Sequence, residues 1–382
     1  MKLLVAPLDW GLGHATRCIP IIKYLLEKKY EVIIGADGRP LQLLQKEFPS
    51  CEFVKISGYN ISYPKNGSMV LKMAAQIPKI FSGIKREHDL LKKLIKEKKI
   101  DAVISDNRFG LWSKEVPCVF ITHQLMIKSP FGEKFIHQLN KKYISKYNEC
   151  WVPDIPPPTK SSPKGRGLES GLSGDLSHKF PLPKNAKYIG ILSRFFTNAQ
   201  NDKAKRRLLV ILSGPEPQRT IFEKKILEQL NIPLNPPSKG ELTALIVQGI
   251  TEKNERKKIS ENVSIVSHLT TEELQKEILS SKIILGRPGY STVMDLAVMN
   301  KKAIFVPTPG QTEQEYLAKY FSDSPSRSAS AEQGKKIAYS VSQKDFDLLI
   351  ALKESEKYSG FKENYSGDEF KKTVDLFITA FL

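Results

Sequence analysis

The strongest constraint on the fold of this chain is a plan that it uses twice. Short apolar runs, each ended by a polar or glycine-containing loop, alternate with amphipathic helical stretches. In the first half KLLVAP, EVIIGA, CEFVKIS, DAVISD and PCVFITH read as strands, with ATRCIPIIKYLLEKK and PLQLLQKEF as helices. In the second half RRLLVILSG, LTALIVQGI, VSIVSHL, KIILG and KKAIFVPTP are strand-type, and RTIFEKKILEQL, TTEELQKEILSS and VMDLAVMN are helical. Apolar strands separated by helices belong to parallel sheets covered on both faces. The expected fold class is α/β, with two Rossmann-like domains over residues 1–195 and 205–365 and their parallel sheets facing a central cleft. The last stretch, within 366–382, reads as a helix that packs back onto the first domain. A chain of 382 residues is long enough to build both cores.

Charge and cysteine usage narrow the class. The formal net charge of +18 favours a polyanionic partner, or reflects a lysine-rich composition alone. The basic residues are dispersed and not interleaved with aromatics, so nucleic acid is the least favoured partner. Cys18, Cys51, Cys118 and Cys150 form no CxxC and read as buried free thiols in a reducing cytoplasm. No metal-ligand spacing occurs; the one DxD, Asp345-Phe346-Asp347, is expected inside a helix. No signal peptide or membrane span is readable. Residues 68–99 carry a helical apolar pattern with nine basic residues on its polar side. It reads as a core-facing helix with a solvated basic face, or as a helix lying on an anionic membrane surface. Three stretches rich in Pro, Ser, Gly and Lys (155–171, 232–241 and 323–335) read as surface insertions, unless one is a lid.

In open parallel sheets, ligands bind beyond the carboxyl ends of the strands. The loops there are GLGHATR, SDNRFG, THQ, SGPEPQR, HLTTEE, RPGYST and TPGQTEQE. They offer Gly11, Gly13, His14 and Arg17; Asp106 and Arg108; His123 and Gln124; Ser213, Gly214 and Arg219; and His268. In RPGYST, Gly289 permits a tight turn after Arg287, and Tyr290, Ser291 and Thr292 present N–H groups at a helix start. That is an anion site of diphosphate size, or a plain N-cap by Ser291 or Thr292. Asp295 reaches the same helix end and suits two ribose hydroxyls, or only complements the helix dipole. Gln311, Thr312, Gln314 and Glu315 suit a hydroxyl-rich ligand such as a sugar, or form a polar helix start.

The segment GRPGYSTVMDLAVMNKKAIFVPTPGQTEQEYLAKYF resembles the nucleotide-sugar-binding segment of MurG-like glycosyltransferases, family 28 enzymes of the GT-B fold. APLDWGLGHATRCIPIIKYL resembles the glycine-rich loop and histidine of their acceptor domain. LSGPEPQR is similar to their second-domain phosphate loop, and ITHQ to their His-Gln loop. The resemblance implies a UDP-sugar donor in the second domain, an acceptor in the first, and no other cofactor. It also implies that Asp295 holds the ribose and that Gln314 and Glu315 lie near the donor sugar. The family pattern has two glutamines there, so Glu315 departs from it. SGPEPQR lacks the extra glycine and alanine of the usual phosphate loop.

Under this resemblance His14 acquires a task. GLGHATR has Thr16 where a dinucleotide fingerprint needs a third glycine, and it has no P-loop lysine. A transferase must deprotonate an acceptor hydroxyl, and imidazole suits that step. A helix N-terminus disfavours imidazolium, and Asp106 is placed to orient the second ring nitrogen. Arg287, Arg219 and helix N-termini are the expected stabilisers of the leaving UDP, without metal. The expected activity is inverting transfer of a hexose or N-acetylhexosamine from a UDP-sugar. A lipid-linked acceptor and a peripheral position on the inner face of the cell membrane are the expected context. The rivals are a UDP-sugar 2-epimerase of the same fold and a non-enzymatic nucleotide- or nucleic-acid-binding protein.

Overall fold

The computed structural model describes residues 1–59, 61, 75–129, 132–157, 171–196, 206–230, 242–324, 335–363 and 365–382. Most of the three Pro/Ser/Lys-rich stretches, and the start of the 68–99 pattern, lie outside them. The chain divides into two compact units. The first holds the described residues up to Arg194 together with Ser366–Leu382, and the second runs from Phe195 to Tyr365.

The first unit is built on β1 (Lys2–Pro7), β2 (Glu31–Ala36), β3 (Glu52–Lys55), β4 (Ala102–Asp106), β5 (Cys118–Ile121), β6 (Glu149–Val152) and β7 (Ala186–Tyr188). Their order is β3-β2-β1-β4-β5-β6-β7, and every neighbouring pair is parallel. The chain runs outward one way from β1 through β2 to β3, and the other way from β4 to β7. The loops leaving β1 and β4 therefore diverge, and the crevice of a doubly wound sheet lies between them.

The helices of this unit are α1 (Leu12–Glu27), α2 (Gly38–Glu47), α3 (Ile77–Lys98), α4 (Glu133–Ile144), the short α5 (Asp175–His178) and the terminal α11 (Asp368–Phe381). Leu91, Leu94 and Ile95 of α3 pack on Leu4, Val103 and Phe120 of the sheet. Each such fully buried side chain contributes roughly 2 kcal/mol. The apolar stripe of the 68–99 pattern is thus a core face from Ile84 onward, while Ile77 and Phe81 stay exposed. In α11, Phe370, Val374, Phe377 and Ile378 recur at helical spacing and turn inward. Phe377 meets the buried Trp151 edge-on at 5.7 Å, and the Tyr24 hydroxyl donates to Asp375 at 2.7 Å. Cys18, Cys118 and Cys150 are buried free thiols; Cys51, expected to match them, is only half-buried.

The second unit repeats the plan with β8 (Arg206–Ile211), β9 (Ala244–Val247), β10 (Arg256–Lys258), β11 (Val263–Val266), β12 (Ser281–Gly286), β13 (Lys302–Phe305) and β14 (Tyr339–Ser340). The order is β10-β11-β9-β8-β12-β13-β14, with only the edge strand β10 antiparallel. The reversal lies between β8 and β12, so SGPEPQ and RPGY flank this sheet's crevice. Its helices are α6 (Gln218–Leu230), α7 (Thr271–Leu279), α8 (Tyr290–Val298), α9 (Thr312–Asp323) and α10 (Leu348–Ser355). The DxD is not helical. Asp347 caps α10 by accepting from the Ile350 N–H, and Asp345 pairs with Ser342 in the preceding turn. A carboxylate satisfies the first orphan donors better outside the helix than within it.

Candidate functional site

In the first unit the crevice between β1 and β4 holds His14 and Asp106. Gly11 is the N-cap of α1 at φ 134°, a conformation that only glycine adopts freely, and a Cβ there would meet nothing within 4 Å. Gly13 and His14 follow in the first turn of α1. Asp106 ends β4 in register with Pro7, and its carbonyl accepts from the Leu8 N–H at 3.0 Å. This pairing brings the two side chains together: His14 Nδ1 lies 2.8 Å from Asp106 Oδ1. Arg17, one helical turn beyond His14, donates to both oxygens of the same carboxylate. Its Nη2 also lies 3.0 Å from His14 Nδ1. The carboxylate can only accept and the guanidinium can only donate; we assign the proton to Nδ1 because that satisfies the shorter contact, to Asp106, and it leaves the Nε2 lone pair as the base. Among the described residues, no protein group bonds that Nε2.

Asp106 is fully buried, and burial works against its charge. The Arg17 and His14 charges and hydrogen bonds outweigh that and hold its pKa down at about 2. Burial and the Asp106 charge push the neighbouring Cys18 thiol well up, so it stays protonated and is no nucleophile.

Two arginines expected at a substrate do other work. Arg17 is 2% exposed and is the counter-charge of Asp106; its Nη1 also donates to His123 Nδ1 at 2.9 Å. Arg108 is fully buried and donates to the carbonyls of Pro7 and Ile56 and to Glu87. A guanidinium with three donor nitrogens satisfies several strand-end carbonyls at once, which explains its position. His123 is buried against Arg17, and the Gln124 N–H turns back to the Thr122 hydroxyl.

In the second unit, α8 begins at Tyr290 with Gly289 as N-cap and no side-chain cap, so Ser291 and Thr292 do not play that part. They are half-buried in the first turn, and Asp295 is 7% exposed on the next. Gly289 has φ −69° and ψ 140°, which any residue adopts. The turn does not require glycine, contrary to expectation. A Cβ there would meet nothing within 4 Å, so the glycine leaves open space ahead of the helix.

Arg287 and Arg219 were expected to face the leaving phosphates and do not. Arg287 is 1% exposed, donates to the Val306, Pro307 and Gln218 carbonyls and to Gln343 Oε1, and lies 4.3 Å over the Phe222 ring. Burial lowers its pKa to about 9, so it remains cationic near neutrality. It fastens the loops after β12, β13 and β14 to the start of α6. Arg219 is paired with Glu216 and Glu223. Ser213 and Gly214 follow β8; Gly214 has φ 99° and faces the Thr308 hydroxyl.

The loop after β13 uses much of its polarity internally. Gln311 caps α9, whose first residue is Thr312, by accepting from the Gln314 N–H. Gln314 Oε1 accepts from Thr308 N–H at 2.8 Å, and Glu315 accepts from Gly310 N–H at 2.7 Å. Among the described residues, no protein acceptor bonds the Gln314 Nε2. His268 follows β11 on the same edge of the sheet, half-buried ahead of the Thr270–Glu273 capping box of α7.

Sequence reasoning missed Glu87, Gln218, Gln343 and Gln248. Gln218 and Gln343 bond each other and Arg287, and Gln248 bonds Glu223. No motif marks them: Gln218 starts a helix, Gln248 and Gln343 follow strands, and Glu87 lies in the middle of α3. Among the described residues, no group of three or more His, Cys, Asp or Glu could hold a metal ion, and no helix is long and apolar enough to cross a membrane.

Residues 219–341 match the family model for the glycosyltransferase family 28 C-terminal domain, and residues 1–148 that for glycosyl transferase family 1. Together the two models span more than two thirds of the chain. An uncharacterized glycosyltransferase of Methanosarcina acetivorans is 25% identical over 334 residues, 82% of each chain. Among solved structures, MurG of Acinetobacter baumannii matches with a TM-score of 0.52 and 14% identity over 99% of both chains. UDP-GlcNAc 2-epimerase of Neisseria meningitidis, bound to UDP-GlcNAc, matches with a TM-score of 0.55 and 15% identity, covering 99% of this chain and 100% of its own. At those identities the solved structures speak to fold alone. Joined with the two family models and the glycosyltransferase relative, they place the chain: it is a GT-B glycosyltransferase with a family 28 C-terminal domain, MurG-like in its fold.

Proposed function

We propose that the chain transfers a hexose or N-acetylhexosamine from a UDP-sugar to an acceptor hydroxyl, with inversion and without metal. The observation that carries this reading is the His14–Asp106 pair at the crevice of the first sheet. A buried, ionised carboxylate holds the ring so that Nε2 accepts a proton, which is the arrangement a general base requires. The deprotonated hydroxyl attacks the anomeric carbon from the face opposite UDP; the C–O bond to the diphosphate breaks and UDP leaves with the electron pair.

The second unit is the donor side of this reading. The open start of α8 at Gly289 takes the diphosphate, because helix N-termini favour anions. Asp295 takes the ribose hydroxyls, and the Gln314 amide lies toward the sugar. Glu315, held on its own loop, is not required there.

The exposed Ile77 and Phe81 beside the lysines of α3 fit an anionic membrane surface, and with it a lipid-linked acceptor.

A thermal-shift screen of nucleotide sugars tests the donor. A ligand at 100 times its dissociation constant stabilises by ~2.7 kcal/mol. UDP-sugars are expected to stand out, and Asp295→Ala to weaken UDP at least tenfold. Unaltered affinity refutes the ribose assignment, and sugar turnover without any acceptor points to epimerase chemistry instead.

A further inference from the structure

We infer that Glu87, on the face of α3 that packs inward, is the positioning residue of the His14–Asp106 pair. The inference rests on the reading of His14 as a base. Asp106 is the last residue of β4, and the chain turns sharply behind it. Asn107 takes φ 57°, a left-handed turn conformation that asparagine enters more readily than most side chains.

The side chains that hold this turn are few. Tyr147 and Ser105 hydroxyls donate to the Arg108 carbonyl. The Tyr59 hydroxyl accepts from Phe109 N–H at 3.0 Å. Glu87 makes the remaining contacts with one carboxylate: it accepts from Arg108 Nη1 at 2.7 Å, from the Tyr59 hydroxyl at 2.8 Å and from Gly110 N–H at 3.1 Å. Arg108 in turn grips the ends of β1 and β3 through Pro7 and Ile56. The first strand's end, which leads into the His14 loop, and the Asp106 turn thus meet at a single carboxylate.

The packing is close. A Cβ on Gly110 would lie 2.3 Å from the Ile84 carbonyl and 2.5 Å from Glu87 Cβ, so glycine is required for α3 to reach the turn. Glu87 is 2% exposed, and burial raises its pKa despite Arg108, Tyr59 and Gly110. The other acids of α3, Asp89 and Glu97, are exposed; the burial of Glu87 alone is explained by the turn it serves. Within a buried network, loss of one member releases the geometry of the rest.

The test is the tautomer of His14. The chain is labelled with 15N-histidine and observed on the alkaline plateau of the ring-nitrogen shifts, with His14→Ala identifying the signal. Wild type is expected to carry the proton on Nδ1. Glu87→Gln is expected to move at least half of the population to Nε2–H, while UDP-induced thermal stabilisation, which reports the second unit, stays within twofold in affinity. Glu87→Gln leaves Arg108 uncompensated, so Tyr59→Phe provides a second, milder variant, expected to move the population in the same direction. A folded variant of either kind with the wild-type tautomer overturns the positioning role. If instead wild type already holds Nε2–H, the base reading of His14 itself falls.

Discussion

Replacing Gly289 by alanine separates folding from donor binding. The backbone there, at φ −69° and ψ 140°, suits alanine, and the new methyl would meet no protein atom within 4 Å. Loss of glycine freedom in the unfolded chain favours the variant by about 0.4–1 kcal/mol. Alanine is a poorer N-cap than glycine by a comparable amount. The two effects nearly cancel, so the ligand-free melting temperature is expected to hold. The methyl does occupy the space through which a diphosphate would approach the α8 N–H groups. If affinity falls ~100-fold, UDP that stabilises wild type by ~2.7 kcal/mol stabilises the variant by only ~0.4 kcal/mol at the same concentration. Differential scanning fluorimetry with and without UDP reads this directly. An unchanged UDP shift in a normally folded variant refutes the diphosphate site at this helix start.

Two further predictions concern the first unit. The Asp106 pKa is depressed from 3.8 to about 2. Its contribution to stability is therefore complete above about pH 4 and is lost as pH falls through about 2; it is worth about 2 kcal/mol. Asp106→Asn should lose this pH-dependent segment, and should cost about 3–5 kcal/mol at neutrality because Arg17 stays buried without its carboxylate. Urea titrations from neutrality down to acid pH measure both, and an identical pH slope in the two proteins contradicts the pairing. Gly110→Ala drives a methyl into the Ile84 carbonyl and should cost about 1–3 kcal/mol in thermal unfolding; an unchanged melt contradicts the tight seating of α3.

Much of the fold was legible because apolar runs of strand length, spaced by helices, have few other solutions. His14 and Asp106 were legible as partners because each stands at the carboxyl end of a strand-type run; the structure adds that the two strands lie side by side. The arginines were not. Arg108, Arg219 and Arg287 each stand at or near a strand's end, where a ligand contact and an internal fastening read alike. Only burial separates them, and three-dimensional neighbours set burial. Gly289 looked like a turn requirement, whereas its dihedrals are ordinary and its importance is the space it leaves. Glu87 was hidden by its surroundings, because one of three acids among nine basic residues reads as part of a solvated face. The DxD failed for a local reason: Asp347 is worth more as the cap of α10 than inside it.

The most direct measurement of the account is acceptor-dependent UDP release by wild type and His14→Ala under identical conditions, with UDP affinity measured alongside. The base role predicts that release requires acceptor and falls ~100-fold or more in the variant while UDP affinity is kept. Equal rates in the two proteins would contradict it.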